Sequence, residues 1–235
     1  MCWSADADLA AGSVIVAIGV GCVAGVRRSR DVPLAALPIV LGLHQIVESF
    51  VWRGVDGTVS ASTASAARTL WAVIAFPLLP LLVPVAVLLA SSPSARQTGR
   101  RLQALCVVGA ATSAVLAIAV ATNPVTAYVV GHTIDYGISV PRLALVTVGY
   151  LAATLGAPLL SPEPAIRLFG AVCAVGATAC YLIWELEFAS TWCAFAAASS
   201  LVLLRWAWGA AHAGTAHSGT AHADTRTGTE PTLAE

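Results

Sequence analysis

His44 and Glu48 stand four residues apart in the run His44-Gln45-Ile46-Val47-Glu48-Ser49-Phe50-Val51-Trp52. On a helix that spacing stacks the two side chains on one face, with Trp52 one turn further along it. An imidazole beside a carboxyl can orient, give or take a proton. An ionisable pair inside an apolar stretch costs several kcal/mol unless it faces protein or a water cavity, so it marks a functional site by default. The plainer alternative is a glutamate that reaches headgroup water and merely ends the stretch. A second carboxyl, Glu185, follows Tyr181 by four residues and Trp184 by one. If both helices run in the same direction, Glu185 lies at about the depth of Glu48. His132, Asp135 and Tyr136 fall in the segment Asn123–Val140, which at about 18 residues exceeds the usual short connection and is read as either a site component or a hairpin cap.

The elements that must position these groups are apolar stretches: Ala10–Val26, Pro33–Trp52, Leu70–Ala90, Leu102–Thr122, Leu143–Leu160, Ile166–Glu185 and Thr191–Trp208. A bilayer core of about 30 Å is crossed by about 20 apolar residues in helix. The chain is 58% hydrophobic and 10% charged, with mean hydropathy +0.83, against about 25% charged for soluble proteins. The sequence therefore predicts an all-α polytopic membrane protein, a bundle of seven transmembrane helices over residues 1–209. The stretch 210–235 turns to Ala, Thr, Gly and His in a near-repeat (AHAGT-AHSGT-AHADT) and predicts a disordered tail. Its histidines, His212, His217 and His222, are five apart, so no two share a helical face.

The net charge is zero, but its distribution is lopsided. Arg27, Arg28, Arg30, Arg96, Arg100, Arg101, Arg167, Arg205 and Arg226 fall on one side of the predicted spans; only Arg53, Arg68 and Arg142 fall on the other. Counting basic residues in short loops places the N-terminus outside and the C-terminus in the cytoplasm of a bacterial cell. Asp6, Asp8, Glu48, Asp56, Asp135, Glu185 and Glu187 lie toward the outer side. The acidic opening Met1–Asp6 lacks the basic n-region of a secretory signal, so the first stretch reads as a retained helix. Cys22, Cys106, Cys173 and Cys180 sit mid-span as small hydrophobes, whereas Cys2 and Cys193 lie near one face and are free to pair or not. All twelve basic residues are arginine, the usage of a GC-rich bacterial genome; without lysine there is no amine for a retinal Schiff base. Nothing in this charge pattern suits a nucleic-acid partner.

Trp3, Trp52, Trp71 and Trp192 fall at the outer side and Trp206 and Trp208 at the inner, where interfacial aromatic belts are found; Trp184 is a turn deeper. Pro77, Pro80 and Pro84 interrupt the third stretch, which frees backbone carbonyls and bends a helix of the kind that borders a cavity.

Three runs together carry a resemblance: the start Met1-Cys2-Trp3-Ser4-Ala5-Asp6-Ala7-Asp8, the segment Leu41–Trp52, and Ser190-Thr191-Trp192-Cys193-Ala194-Phe195-Ala196-Ala197. They resemble a broad group of bacterial membrane proteins with MCFSA-like openings, a QQ-x-x-EG-x-VW run in the second span and an SVWCFFAA run in the last. Most of that group has no known function. Within it, the chain is similar to small membrane cyclases of bacterial indole sesquiterpenoid pathways of the xiamycin and drimentine type. It departs from the wider pattern at His44, where the group shows Gln, and at Ser49, where it shows Gly.

The resemblance implies a protonation-initiated terpene cyclase acting on a lipophilic, prenylated substrate, with no cofactor and no metal. It makes Glu48 the first candidate acid, oriented by His44, and Glu185 the second. Asp135 or His132 would take the final proton, and Trp52, Trp71, Trp184, Tyr150, Tyr181 and Phe50 would line the substrate. A carboxylic acid in an apolar site and aromatic faces that each favour a cation by about 0.5–2 kcal/mol fit such chemistry. Two other classes stay open on the residues alone. His44, Glu48, His132 and Glu185 are ligand types for zinc or iron in an intramembrane hydrolase. A binding or transport protein is the other, although an odd number of spans gives no obvious inverted repeat.

Overall fold

A computed structural model describes residues 4–91, 96–130, 133–183 and 199–209. Ser4 opens the first helix, α1 (Ala5–Gly25), by accepting a 3.2 Å hydrogen bond from the Ala7 amide, with Asp6 and Asp8 in the first turn. A carboxylate there complements the positive end of the helix dipole. The helix thus begins one and a half turns before the apolar stretch does. After a 3-10 turn at Ser29–Asp31 and the short α2 (Val32–Ala35), α3 (Leu37–Val55) returns, with proline in its first turn. The connection to the next helix passes through Gly57, at φ 69°, in the left-handed region that glycine enters without steric cost.

α4 (Ala61–Val73) is capped by Ser60 and runs through a π-helical segment, Ile74–Leu78, into α5 (Leu79–Ala90). Pro77 lies inside that segment and has no amide hydrogen to give, so the ladder widens there. Side chains satisfy carbonyls of the widened turn: Tyr150 Oη donates to Ala75 O at 2.7 Å and Ser113 Oγ to Pro77 O at 2.6 Å. α6 is Arg96–Thr122. α7 (Leu143–Leu151) continues through a second π segment, Ala152–Gly156, into α8 (Ala157–Leu159), and α9 is Pro164–Ile183. A last helix, α10, occupies 200–209.

Among the described residues, four helices are long and apolar enough to cross a membrane: Ala5–Gly25, Ser29–Val55, Ala61–Ala90 and Gln97–Thr122. These coincide with the first four predicted stretches, each extended at its N-terminal end. Leu143–Leu159 and Pro164–Cys180 are apolar but shorter. Of the seventh stretch only the part from Ser199 onward is described. Cys2, Cys193 and the tail 210–235 lie outside the described residues; Cys22, Cys106, Cys173 and Cys180 are free thiols.

α1 and α3 pack antiparallel along their lengths. A Cβ on Gly12 would lie 2.6 Å from Gly42 O, one on Gly42 would lie 2.7 Å from Gly12 O, and one on Gly19 would lie 2.6 Å from Ile39 N. Glycine at these crossings lets the two backbones meet, which is how apolar helices gain dispersion energy without a hydrophobic drive. At the far end of α1, Trp208 Nε1 donates to Gly21 O at 3.2 Å, so α10 joins the bundle there. Ser91 and Ser161 share a 3.2 Å hydrogen bond at the same end, where Arg167 donates to the carbonyls of Ser161 and Pro162. The loops bearing Arg27, Arg28 and Arg30 and the start of α6 with Arg100 and Arg101 belong to this end too.

The opposite end is not all helix. The stretch read as a long connection contains an antiparallel hairpin, β1 (Thr126–Val130) paired with β2 (Thr133–Gly137), in the register Ala127↔Tyr136 and Tyr128↔Asp135. Its threonines, valines and tyrosines are strand formers, and the alternation turns Ile134 (1% exposed) inward. The hairpin packs Ile134, Ala127 and Tyr136 against Val51, Trp52 and Trp71 of α3 and α4.

Candidate functional site

Under the hairpin, the second half of α3 buries polar side chains completely. His44, Gln45, Glu48 and Ser49 are all 0% exposed, and Trp52 closes the row. Ser49 satisfies itself locally by donating to Ile46 O at 2.7 Å. Neither ring nitrogen of His44 and neither amide atom of Gln45 has a hydrogen-bond partner among the described residues.

Trp71 is the hub. Fully buried on α4, it stacks on Tyr136 of the hairpin with centroids 3.4 Å apart and planes 5° from parallel. The His44 ring lies 4.9 Å from it at 38°, and Phe76 meets it edge-on at 5.8 Å. The edge-to-face Trp71–Phe76 contact is of the kind that contributes about 0.5–1.5 kcal/mol beyond area burial. Trp71 is therefore an interior side chain and not part of an interfacial belt.

A second carboxyl enters from α1. Asp8 is 0% exposed, held against α3 by the glycine crossing one turn below at Gly12. With Gly12 set against Gly42 and Ile46 in the antiparallel crossing, Asp8 comes one turn nearer the hairpin end, on the level of Glu48, and both are fully buried. The pair Asp8–Glu48, with His44 a turn deeper and Trp52, Trp71 and Tyr136 around it, forms a closed cluster of acid, imidazole and aromatic groups. Such a set can hold, give and take a proton beside surfaces that favour positive charge.

The other sequence candidates are dispersed. Tyr150 points its hydroxyl at Ala75 O and borders a small apolar cavity of about 40 Å³ with Leu37, Leu41, Val83 and Phe169. Phe50 is 36% exposed, with the Arg53 guanidinium 5.5 Å above its ring. Asp135 pairs across the hairpin with exposed Tyr128, on the face opposite Ile134 and Tyr136, and so is turned away from Trp71. Tyr181 belongs to α9, but its side chain, like His132, Trp184 and Glu185, lies outside the described residues. Among the described residues no group of three His, Cys, Asp or Glu is placed to hold a metal ion.

Sequence reasoning missed Asp8, Gln45 and Phe76 as members of the cluster, and had Tyr136 only within a segment read as either a site component or a hairpin cap. For Asp8 the signal was present: Ser4 followed by acidic residues is a helix-start signature, and it moves the helix back far enough to bring Asp8 level with Glu48. For Tyr136 only the strand alternation of Ile134 and Tyr136 pointed inward.

A family model matches residues 1–218, a span that takes in every helix described above and the hairpin. The chain belongs to DUF6629, a family of unknown function. No curated protein and no solved structure matches the chain. Membership in DUF6629 thus brings no activity with it, and the chemistry rests on the cluster itself.

Proposed function

We propose that this protein is a membrane-bound terpene cyclase that protonates a terminal alkene or epoxide of a prenylated, farnesyl-indole-type substrate and so starts carbocation ring closure. One observation carries the reading: His44 is wholly buried against Trp71, which stacks on Tyr136, and Glu48 is equally buried one turn along the same face of α3, which supports an acid close to cation-stabilising aromatic faces. In the first step the alkene π pair takes the carboxyl proton of Glu48, leaving a carboxylate and a tertiary cation. Further π pairs attack that cation and close rings, and loss of a proton from carbon ends the sequence. Substrate and product are isomers, so no diphosphate leaves and no redox partner is consumed. His44, one turn deeper on the same face with neither ring nitrogen hydrogen-bonded among the described residues, is the group available to relay that proton. Aromatic faces near the path favour each cation by about 0.5–2 kcal/mol.

The same reading takes Leu143–Leu159, Pro164–Cys180 and the C-terminal helix as three further crossings, giving seven. It sets the hairpin end outside and the arginine-rich end in the cytoplasm of a bacterial cell membrane. A lipophilic substrate then enters sideways from the bilayer. The test is direct: purified protein in detergent, given a farnesylated indole and a chelator, should yield a cyclic product of unchanged mass and altered retention. No product from the wild type would remove the reading. Activity lost to chelator and restored by one specific metal would move it to the hydrolase class.

A further inference from the structure

Buried polar groups in native proteins are almost always paired, and each exception asks for an explanation. Most of the exceptions among the described residues gather in one place. Both carboxylate oxygens of Asp8, both nitrogens of His44, both amide atoms of Gln45 and the indole nitrogens of Trp52 and Trp71 lack hydrogen-bond partners among the described residues. All sit at the α1–α3–α4 junction beneath the hairpin. A fold that merely needed to span lipid would fill these positions with Leu or Val, as it does at Leu37 and Leu41 one and two turns earlier on α3. Ionisable groups retained inside a membrane protein face the bundle interior and serve proton or substrate paths.

We infer that Asp8 and Glu48 work as one proton-cycling pair, in which Glu48 delivers the proton that starts the reaction and the Asp8 carboxylate accepts the proton released at its end. This rests on the cyclase reading above and supplies its missing base. Asp135 faces away from Trp71, whereas Asp8, fully buried one turn beyond the Gly12–Gly42 crossing, stands level with Glu48. The balance closes. The O–H bond of Glu48 breaks as a C–H bond forms on the alkene. At the end a C–H bond breaks, its electron pair becomes the product alkene, and the proton forms an O–H bond on Asp8. Transfer of that proton from Asp8 to Glu48 then restores the starting state. Throughout the cationic phase both carboxylates lie near the positive charge, so the arrangement also stabilises the intermediates it must not quench early.

Two measurements test the pair, and the first needs no substrate. Infrared spectra of the purified protein should contain a protonated-carboxyl band that both Asp8→Asn and Glu48→Gln shift, because each variant removes the other's partner. A band that responds to only one of the two substitutions would overturn the inference. The second measurement is product analysis. Asp8→Asn should still start cyclisation, but its products should move away from the native alkene toward other alkene isomers and water-trapped alcohols, while Asp8→Glu keeps the native product. Native product in native ratio from Asp8→Asn would also overturn it. Should Asp8→Asn fail to fold, Glu48→Gln alone decides through the infrared band, which must then report the Asp8 carboxyl. A wild type that gives no cyclic product sinks the cyclase reading, yet the infrared arm still decides whether the two carboxyls share a proton.

Discussion

The two halves of α3 are equally buried and chemically opposite. Leu37 and Leu41 enter an apolar core with Leu79, Val83 and Phe169, where nothing needs a partner. From His44 to Trp52 the same helix, at the same exposure, carries an imidazole, an amide and a carboxyl against Trp71 and Tyr136. Burying an unpartnered polar group costs about 1–3 kcal/mol by mutational measures, and a charge costs more. The first half is built for stability and the second gives some of it up. That difference separates scaffold from site within one element.

Glu48→Gln and Leu41→Ala should pull the two halves apart most sharply. Glu48→Gln keeps shape but has no acidic proton, so it should lose on the order of 10²–10⁴-fold in turnover with its unfolding temperature unchanged or raised. Leu41→Ala should do the reverse, costing about 2–5 kcal/mol of stability while turnover per folded molecule stays near normal. Turnover assays beside thermal unfolding in detergent measure both. A Glu48→Gln protein with wild-type turnover would refute the comparison and move the acid to Glu185.

Gly42 lies between the two halves, and Gly42→Ala probes how far the site depends on the scaffold. Its Cβ would sit 2.7 Å from Gly12 O and from Val16 N, backbone atoms that cannot swing aside. We expect a loss of about 1–3 kcal/mol from overpacking, together with reduced turnover, because pushing α1 outward carries Asp8 away from Glu48. Stability and activity that both match the wild type would mean the crossing has slack the structure does not show.

Tyr150→Phe is a smaller cut. It removes the hydroxyl that satisfies Ala75 O in the widened turn between α4 and α5, and an unsatisfied carbonyl there costs about 1–3 kcal/mol. Phe76 lies in that turn and Trp71 just before it, so altered tryptophan fluorescence should accompany the lower unfolding temperature. The smallest effect belongs to the tail: a chain ending at Gly209 should insert, unfold and turn over as the full chain does. Loss of activity with normal expression would assign the His-rich repeat a role.

How much was legible beforehand varies with the physics involved. Hydropathy found the four helices long and apolar enough to cross a bilayer because length and apolarity are both properties of a contiguous stretch. Their starts were placed late, since capping by Ser4 and Ser60 extends helices into polar sequence that hydropathy does not count. A hairpin cap was one of two readings of the long connection, but its strands and register were not legible because ten strand residues give a weak alternation beside long apolar helices.

Sequence by itself determined the class of protein, the facing of His44 with Glu48 and the sorting of arginines toward one end. Each follows from a local rule: apolar length, a helical period of 3.6, or charge in short loops. Only the tertiary structure decided that Asp8 belongs with Glu48, that Trp71 is interior and that Asp135 looks away. Those facts depend on which helices cross and at what depth. That is set by the glycine contact of Gly12 with Gly42 and by the fold of the hairpin, contacts between residues far apart in the chain that no local period encodes.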